Sequence, residues 1–246
     1  MTKEYYQEFS LGDIDVAIDA TISYAQNLLI NDTKLNDKVR IKINNEEINN
    51  QIKNGNQNMP KYIKEVTEYL ISMIQIINRV HDAGVVHRDI KPENFMFSVE
   101  KKNGGDIEKK LNIIDFGLSR FYMKGDKHII NTYDKSIVGT VRYISRHIHE
   151  GNVYSRRDDI ISILYVVIYL LKGKLPWNGM VPKKGEKITK EELIYDKKIK
   201  TTSSELCEGL PPMYEKLVDY AYGLEFEEKP DYLYMIRQCK NLLKIL

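Results

Sequence analysis

Two polar segments, His87-Arg88-Asp89-Ile90-Lys91-Pro92-Glu93-Asn94 and Asp115-Phe116-Gly117, stand at the two ends of one short stretch of chain. The stretch opens on Phe95-Met96-Phe97 and closes on Leu111-Asn112-Ile113-Ile114, both short and apolar. Between them the polar run from Lys101 to Lys110 carries Gly104-Gly105, the composition of a turn. Two apolar strands around a glycine turn predict a β-hairpin, and a hairpin brings its two ends together. Any fold of this chain is therefore expected to place Asp89, Lys91, Asn94 and Asp115 on adjoining loops.

Those residue types suit one chemistry. Transfer of a phosphoryl group needs a carboxylate to take up the proton of the incoming hydroxyl, and Asp89 can serve as that base. Lys91, two residues on, is close enough to neutralise the charge of the moving phosphate. A magnesium ion that screens phosphate charge prefers a few hard oxygen ligands, and the Asn94 amide oxygen and the Asp115 carboxylate are such donors. The plain alternative is a solvated turn that happens to hold an aspartate and a lysine. The second loop and the flanking apolar strands argue against it. Together the two segments resemble the catalytic loop and the metal-binding loop of a protein kinase.

Further along, Gly139-Thr140-Val141-Arg142-Tyr143-Ile144-Ser145, Ser155-Arg156-Arg157-Asp158-Asp159, Leu175-Pro176-Trp177-Asn178-Gly179 and Lys229-Pro230-Asp231-Tyr232 are similar to the casein kinase 1 family, with the vaccinia-related kinases as close cousins. Where most protein kinases have Ala-Pro-Glu, this chain has Ser145-Arg146-His147, similar to that family's Ser-Ile-Asn. The resemblance is dense from about Lys64 to the C-terminus. It implies an α+β, protein kinase-like fold with a mostly helical large C-terminal lobe. It also implies roles by position: Asp89 as base, Lys91 on the phosphate, and Asn94 and Asp115 on the metal. Thr140 would hydrogen-bond near Lys91 and Asp89, as in serine/threonine kinases. Asp159 would hold the catalytic loop through backbone N–H groups, with His87 and Arg88 as structural support. Arg142, the Asn178-Gly179 turn and a nearby lysine (Lys183, Lys184 or Lys187) resemble the family's anion pocket, although an exposed loop arginine is the plain alternative. ATP and Mg²⁺ would be the cofactors, and acidic or phospho-primed proteins the substrates.

Patterning agrees with a helical large lobe. Val66, Leu70, Met73, Ile77 and Val80 recur at helical spacing, and Gly84 follows as a stop. The run from Ile160 to Leu171 is almost wholly apolar but too short to cross a bilayer, which predicts a core helix with Asp158-Asp159 at its favourable N-terminal end. Pro211-Pro212 opens another helix with Leu217, Val218, Ala221 and Leu224 inward. A last helix after Pro230 is expected to turn Leu233, Ile236 and Leu243 inward. The lysine-rich stretch from Lys187 to Lys200 reads as a solvated helix. His147 and His149 read as loop histidines without metal-ligand spacing.

The first 63 residues fit the family pattern poorly. No two glycines are separated by a single residue, so the Gly-x-Gly turn that covers nucleotide phosphates is missing. In one reading Tyr5 to Phe9 forms the last strand and hinge, Leu11 to Leu29 the next helix, and residues 31–60, with nine asparagines, a polar insert. In the other, Val39-Arg40-Ile41-Lys42 is the lysine strand, with Lys42 paired to Glu46 or Glu47. Either way the small lobe is expected to be truncated or atypical. The chain reads as one kinase-like domain over 1–246, divided into a divergent part over 1–63 and a large lobe over 64–246. A catalytically impaired, pseudokinase-like interaction module is the alternative function. A small-molecule phosphotransferase of the same fold is disfavoured by Arg88, the Asp-Phe-Gly loop and Gly139-Thr140.

The near-balanced charge, with a formal net of +2, offers no basic stripe for nucleic acid. Two cysteines, Cys207 and Cys239, are too few for a disulfide framework, and the polar N-terminus has no signal core. These features predict an intracellular, cytoplasmic or nuclear monomer that binds neither nucleic acid nor membrane.

Overall fold

The computed structural model describes residues 39–40, 59–101, 107–133 and 136–246. Tyr5 to Phe9, Leu11 to Leu29, Lys42, Glu46, Glu47 and the Gly104-Gly105 turn lie outside them.

The expected amphipathic helix is α1, Met59–Asp82. Val66, Leu70, Met73, Ile77 and Val80 are all buried, and Ile63, Ile74 and Ile76 are buried with them. The apolar stripe is broad because two later helices pack against it. The helix ends where Gly84 takes φ +80°, a left-handed conformation natural to glycine, and its N–H donates to the His81 carbonyl at 2.9 Å. The chain then enters β2, Val85–Val86, which runs antiparallel to β5, Arg120–Phe121.

The predicted hairpin is present as β3, Phe95–Lys101, and β4, Ile107–Ile113, antiparallel with Phe95 opposite Ile113 and Lys101 opposite Ile107. Its strands run further into the polar insert than the apolar residues foretell, because ladder hydrogen bonds do not depend on side-chain polarity. The two-residue strand β1, Val39–Arg40, lies on the other edge of β3. Extended backbone at Val39–Arg40 is what the lysine-strand reading requires, but its partner is the catalytic-loop hairpin. Two small strands, β6 (Met123–Lys124) and β7 (Lys127–His128), pair with each other.

The remaining chain is helical. A one-turn helix α2, Arg146–His149, follows the N-cap Ser145, so His147 and His149 stand on a helix rather than in a loop. The Ser145 hydroxyl accepts from the Ile148 N–H, and this starts the turn. Helix α3, Arg156–Lys172, is buried from Arg156 to Leu171, as its unbroken apolar run requires. The Asp158 carboxylate accepts from the Ser155 N–H at 2.8 Å at its start, and Gly173 at φ +70° stops it. Helices α4 (Lys190–Lys200), α5 (Ser203–Leu206), α6 (Pro212–Tyr222) and α7 (Tyr232–Leu243) complete the lobe. On α6, Leu217, Val218 and Ala221 are buried as expected, and Leu224 is buried just beyond it.

Two expectations fail. On α7 the buried residues are Tyr232, Met235 and Cys239, and Ile236 packs against the core half-buried as expected, whereas Leu233 is 72 % exposed and Leu243 is half-buried. The buried stripe at 232, 235 and 239 leaves Leu233 about 100° away from Tyr232 around the helix. On α4, Lys198 is buried at 2 % exposure, so this helix is not solvated all round. No helix among the described residues is long and apolar enough to cross a membrane. Taken together, the described residues form an α+β lobe with its main core between α1, α3, α6 and α7.

Candidate active site

The hairpin and the β2–β5 pair hold the two motif loops against each other. At the base of the hairpin the Ile114 N–H donates to the Asn94 carbonyl at 2.9 Å. His87 is fully buried, with Nε2 3.1 Å from the Ile114 carbonyl and its ring 4.9 Å from that of Phe116. Burial pushes its pKa down, although the Asp159 charge works the other way. His87 therefore packs beneath the loop as a neutral ring.

Asp159, from the first turn of α3, reaches up under the catalytic loop. Its two oxygens accept from the His87 N–H at 2.7 Å and the Arg88 N–H at 3.0 Å. Behind it, His81 Nε2 lies 3.1 Å from Oδ2, and His81 Nδ1 lies 2.6 Å from the Tyr232 hydroxyl. Burial works to raise the Asp159 pKa, and the hydrogen bond from His81 leads the groups that outweigh it and hold the carboxyl low. The backbone bonds to Asp159 are those the family resemblance implies. Nothing local in the sequence marks His81 or Tyr232 for this role, because both lie far along the chain from Asp159.

Arg88 and Asp115 are the two non-glycine residues with positive φ among the described residues, at +71° and +64°. Strain of this kind persists only where surrounding contacts enforce it, and here it falls on the two motif loops. The Arg88 guanidinium lies 5.6 Å from the Tyr154 ring centre. Gly139 closes over the loop at φ +93°, where a Cβ would lie 2.4 Å from the Arg88 carbonyl oxygen.

Asp89 is nearly buried and surrounded by donors. Its Oδ1 accepts from the Thr140 hydroxyl at 2.8 Å, and its Oδ2 accepts from the Lys91 ammonium and from Asn94 Nδ2 at 3.2 Å. Burial alone would raise its pKa. Hydrogen bonds from Lys91, Thr140 and Asn94 outweigh that and hold the carboxyl below its ordinary value. Asn94 also donates Nδ2 to the Asp89 carbonyl at 2.8 Å, which commits its nitrogen and leaves its amide oxygen as the atom a cation can use. Asp115 is exposed, and its Oδ1 accepts from the Gly117 N–H at 3.3 Å. No cluster of three His, Cys, Asp or Glu able to grip a metal exists among the described residues. One amide oxygen and one carboxylate fit a hard cation that keeps waters and phosphate oxygens as its other ligands, as Mg²⁺ does.

A cavity of about 480 Å³ opens beside this cluster. Lys91 and Thr140 line it from the catalytic side, and Arg142, Asn178 and Gly179 from the far side, with Glu93 contributing one negative charge. Lys91 and Thr140 therefore share one space with Arg142, Asn178 and Gly179, whereas Asp89, Asn94 and Asp115 do not line it. The lysine that joins them is Lys190 of α4 rather than Lys183, Lys184 or Lys187. Arg142 lies 5.5 Å from the Tyr169 ring centre, and Trp177 Nε1 donates to the Arg142 carbonyl at 2.8 Å.

An α+β lobe with these two loops at the end of a hairpin defines the large lobe of a protein kinase. The sequence matches the protein kinase domain over residues 27–240. It is 37 % identical over 184 residues to casein kinase I homolog 2 of Schizosaccharomyces pombe, an alignment that covers 74 % of this chain and 41 % of that protein. The chain belongs to the protein kinase family. It spans about two fifths of the length of that curated relative.

Proposed function

We propose that this chain is a serine/threonine protein kinase that transfers the γ-phosphate of ATP to proteins, favouring acidic or phospho-primed substrates. The observation that carries the reading is the arrangement of Thr140, Lys91 and Asn94 around Asp89, with Lys91 and Thr140 also lining the cavity that Arg142 lines. In the reaction, a substrate serine or threonine oxygen bonds to the γ-phosphorus as the bond from that phosphorus to the β,γ-bridging oxygen breaks, and ADP leaves. Asp89, ionised at neutral pH, orients the hydroxyl and receives its proton as the new bond forms. Lys91 offers its positive charge to the phosphoryl oxygens, where charge spreads in the transition state. Bound Mg²⁺, held by Asn94 and Asp115, would screen the nucleotide's phosphate charge. Arg142, Lys190 and the Asn178-Gly179 turn would take an acidic or phosphorylated residue of the substrate. Residues 64–246 would form the large lobe of a single intracellular kinase domain.

Two measurements test the reading. Mg²⁺-dependent ATP binding by calorimetry should be measurable in the wild-type chain and lost in Asp115→Ala. Phosphate transfer to an acidic protein should fall by about 10²–10⁴-fold in Asp89→Asn, the range for loss of a general base. Absence of both ATP binding and transfer in the wild-type chain overturns the kinase reading and leaves an interaction module.

A further inference from the structure

Lys198 lies on the inner face of α4, and no step of the proposed reaction uses it. Its ammonium is inside the protein, at 2 % residue exposure, where it donates to the Val141 carbonyl at 2.8 Å and to the Ile144 carbonyl at 2.6 Å. His149 Nε2 lies 3.2 Å away, and the faces of Trp177 and Tyr165 lie 5.1 and 5.4 Å from the nitrogen. These hydrogen-bond partners are two carbonyls and an imidazole whose pKa burial and the lysine's own charge push down to about 3, so the ring is neutral. Burial likewise drives the pKa of the lysine well below its usual value.

An apolar side chain would fill this space without the cost of removing an ammonium from water. It could not donate to two carbonyls at once. The two carbonyls bracket Arg142 and Tyr143, and the carbonyl of Arg142 itself is held by Trp177. The Tyr143 and Ile144 N–H groups both turn back to the Thr140 carbonyl, at 2.8 and 3.1 Å. Side-chain donors thus grip the turn from below, while its upper side lines the cavity beside Asp89. Lys190, Ile194 and Lys198 follow one another at four-residue spacing and share one face of α4. Lys190 and Ile194 line that same cavity, so a single helix face supplies both wall and anchor.

We infer that Lys198 is a positioning residue for substrate recognition: it fixes the 141–144 turn so that Arg142 is presented to a phosphate or carboxylate group of the substrate. This rests on the reading of the Arg142 cavity as an anion site.

The test uses the full chain and a phosphoserine peptide with no acceptor hydroxyl, so that binding is read without turnover. Dissociation constants are measured by fluorescence anisotropy for wild type, Arg142→Ala, Lys198→Met and Lys200→Met. Lys200 is exposed on the same helix and pairs with Asp196, so it serves as the charge control. Leu217→Ala, a core change on α6, serves as the stability control. Binding about ten-fold weaker in Lys198→Met, with Lys200→Met and Leu217→Ala close to wild type, is expected for lost hydrogen bonds beneath a binding turn. Should Lys198→Met fail to fold, Lys198→Gln keeps one donor group and should weaken binding by at least about three-fold. Wild-type affinity in the folded Lys198 variant, or an equal loss in Leu217→Ala, overturns the inference alone. Peptide binding that is unaffected by Arg142→Ala, or absent from the wild type, overturns the anion reading and this inference with it.

Discussion

At Gly139 a methyl group would sit 2.4 Å from the Arg88 carbonyl oxygen and 3.0 Å from the Tyr154 hydroxyl. The first contact is with backbone, so relief requires the segment carrying Thr140 to move away from Asp89. Gly139→Ala is therefore expected to lower kcat by about 100-fold, the order reached by a displacement of about 1 Å at a reacting group. Kinase assays check this, and wild-type turnover would show that the contact is not needed. Asp159 sets a second limit, because its two oxygens serve the His87 and Arg88 N–H groups with His81 behind them. An amide at this position turns a donor toward one of those donors. Asp159→Asn should destabilise the fold by about 3 kcal/mol or more, the scale of breaking a buried charged network. Denaturant unfolding measures it, and an unchanged midpoint would mean that the network is dispensable.

Among the elements, α1 and α3 form the platform on which the catalytic loop rests. Leu70 is fully buried on α1 within the main core, and replacing it with alanine removes apolar contacts from a site that can close only partly. Leu70→Ala is expected to cost about 2–5 kcal/mol. Because α1 ends at Asp82, with two residues between it and β2, the same change should also reduce kcat/KM, read in parallel with the unfolding midpoint. The short strands act differently: β2 with β5, and β3 with β4, determine which loop faces which. Helix α4 combines both functions, with a polar outer face, a pocket wall and the buried Lys198. Its lysine-rich composition conceals this, because one buried lysine among several exposed ones has no mark in the sequence.

For the molecule as a whole, one buried and two half-buried histidines govern the response to acid. His147 and His149 have pKa values pushed down to about 4 and about 3, chiefly by burial, and His87 is lowered for the same first reason. The unfolded chain therefore binds protons that the native state refuses as pH falls below about 6.5, and native stability declines with it. Asp158 acts in the opposite sense. Burial raises its pKa to about 6, so its stabilising contribution is present at low pH and is lost as pH rises through about 6. His147 and His149 against Asp158 leave the histidines dominant by about one proton near pH 5, and His87 acts in the same direction. The denaturant midpoint should fall steadily from pH 6.5 to pH 5, and a rising midpoint over that interval would refute the assignment. Asp89 and Asp159, both held low, add losses only below the ordinary aspartate range.

Much of this was legible in the residue order. Side-chain periodicity located α1, the buried α3 and the hairpin, because helical and extended backbones impose their spacing on nearby residues. The loop residues Asp89, Lys91, Asn94 and Asp115 could be named because their chemistry permits few substitutes and they sit close together along the chain. Only the tertiary structure paired His81 and Tyr232 with Asp159, put Lys190 in the wall of the cavity that Arg142 lines, turned Leu233 outward and drew Lys198 inward. Each of these depends on which helix face meets which neighbour, a choice settled by packing across distant segments rather than by local spacing.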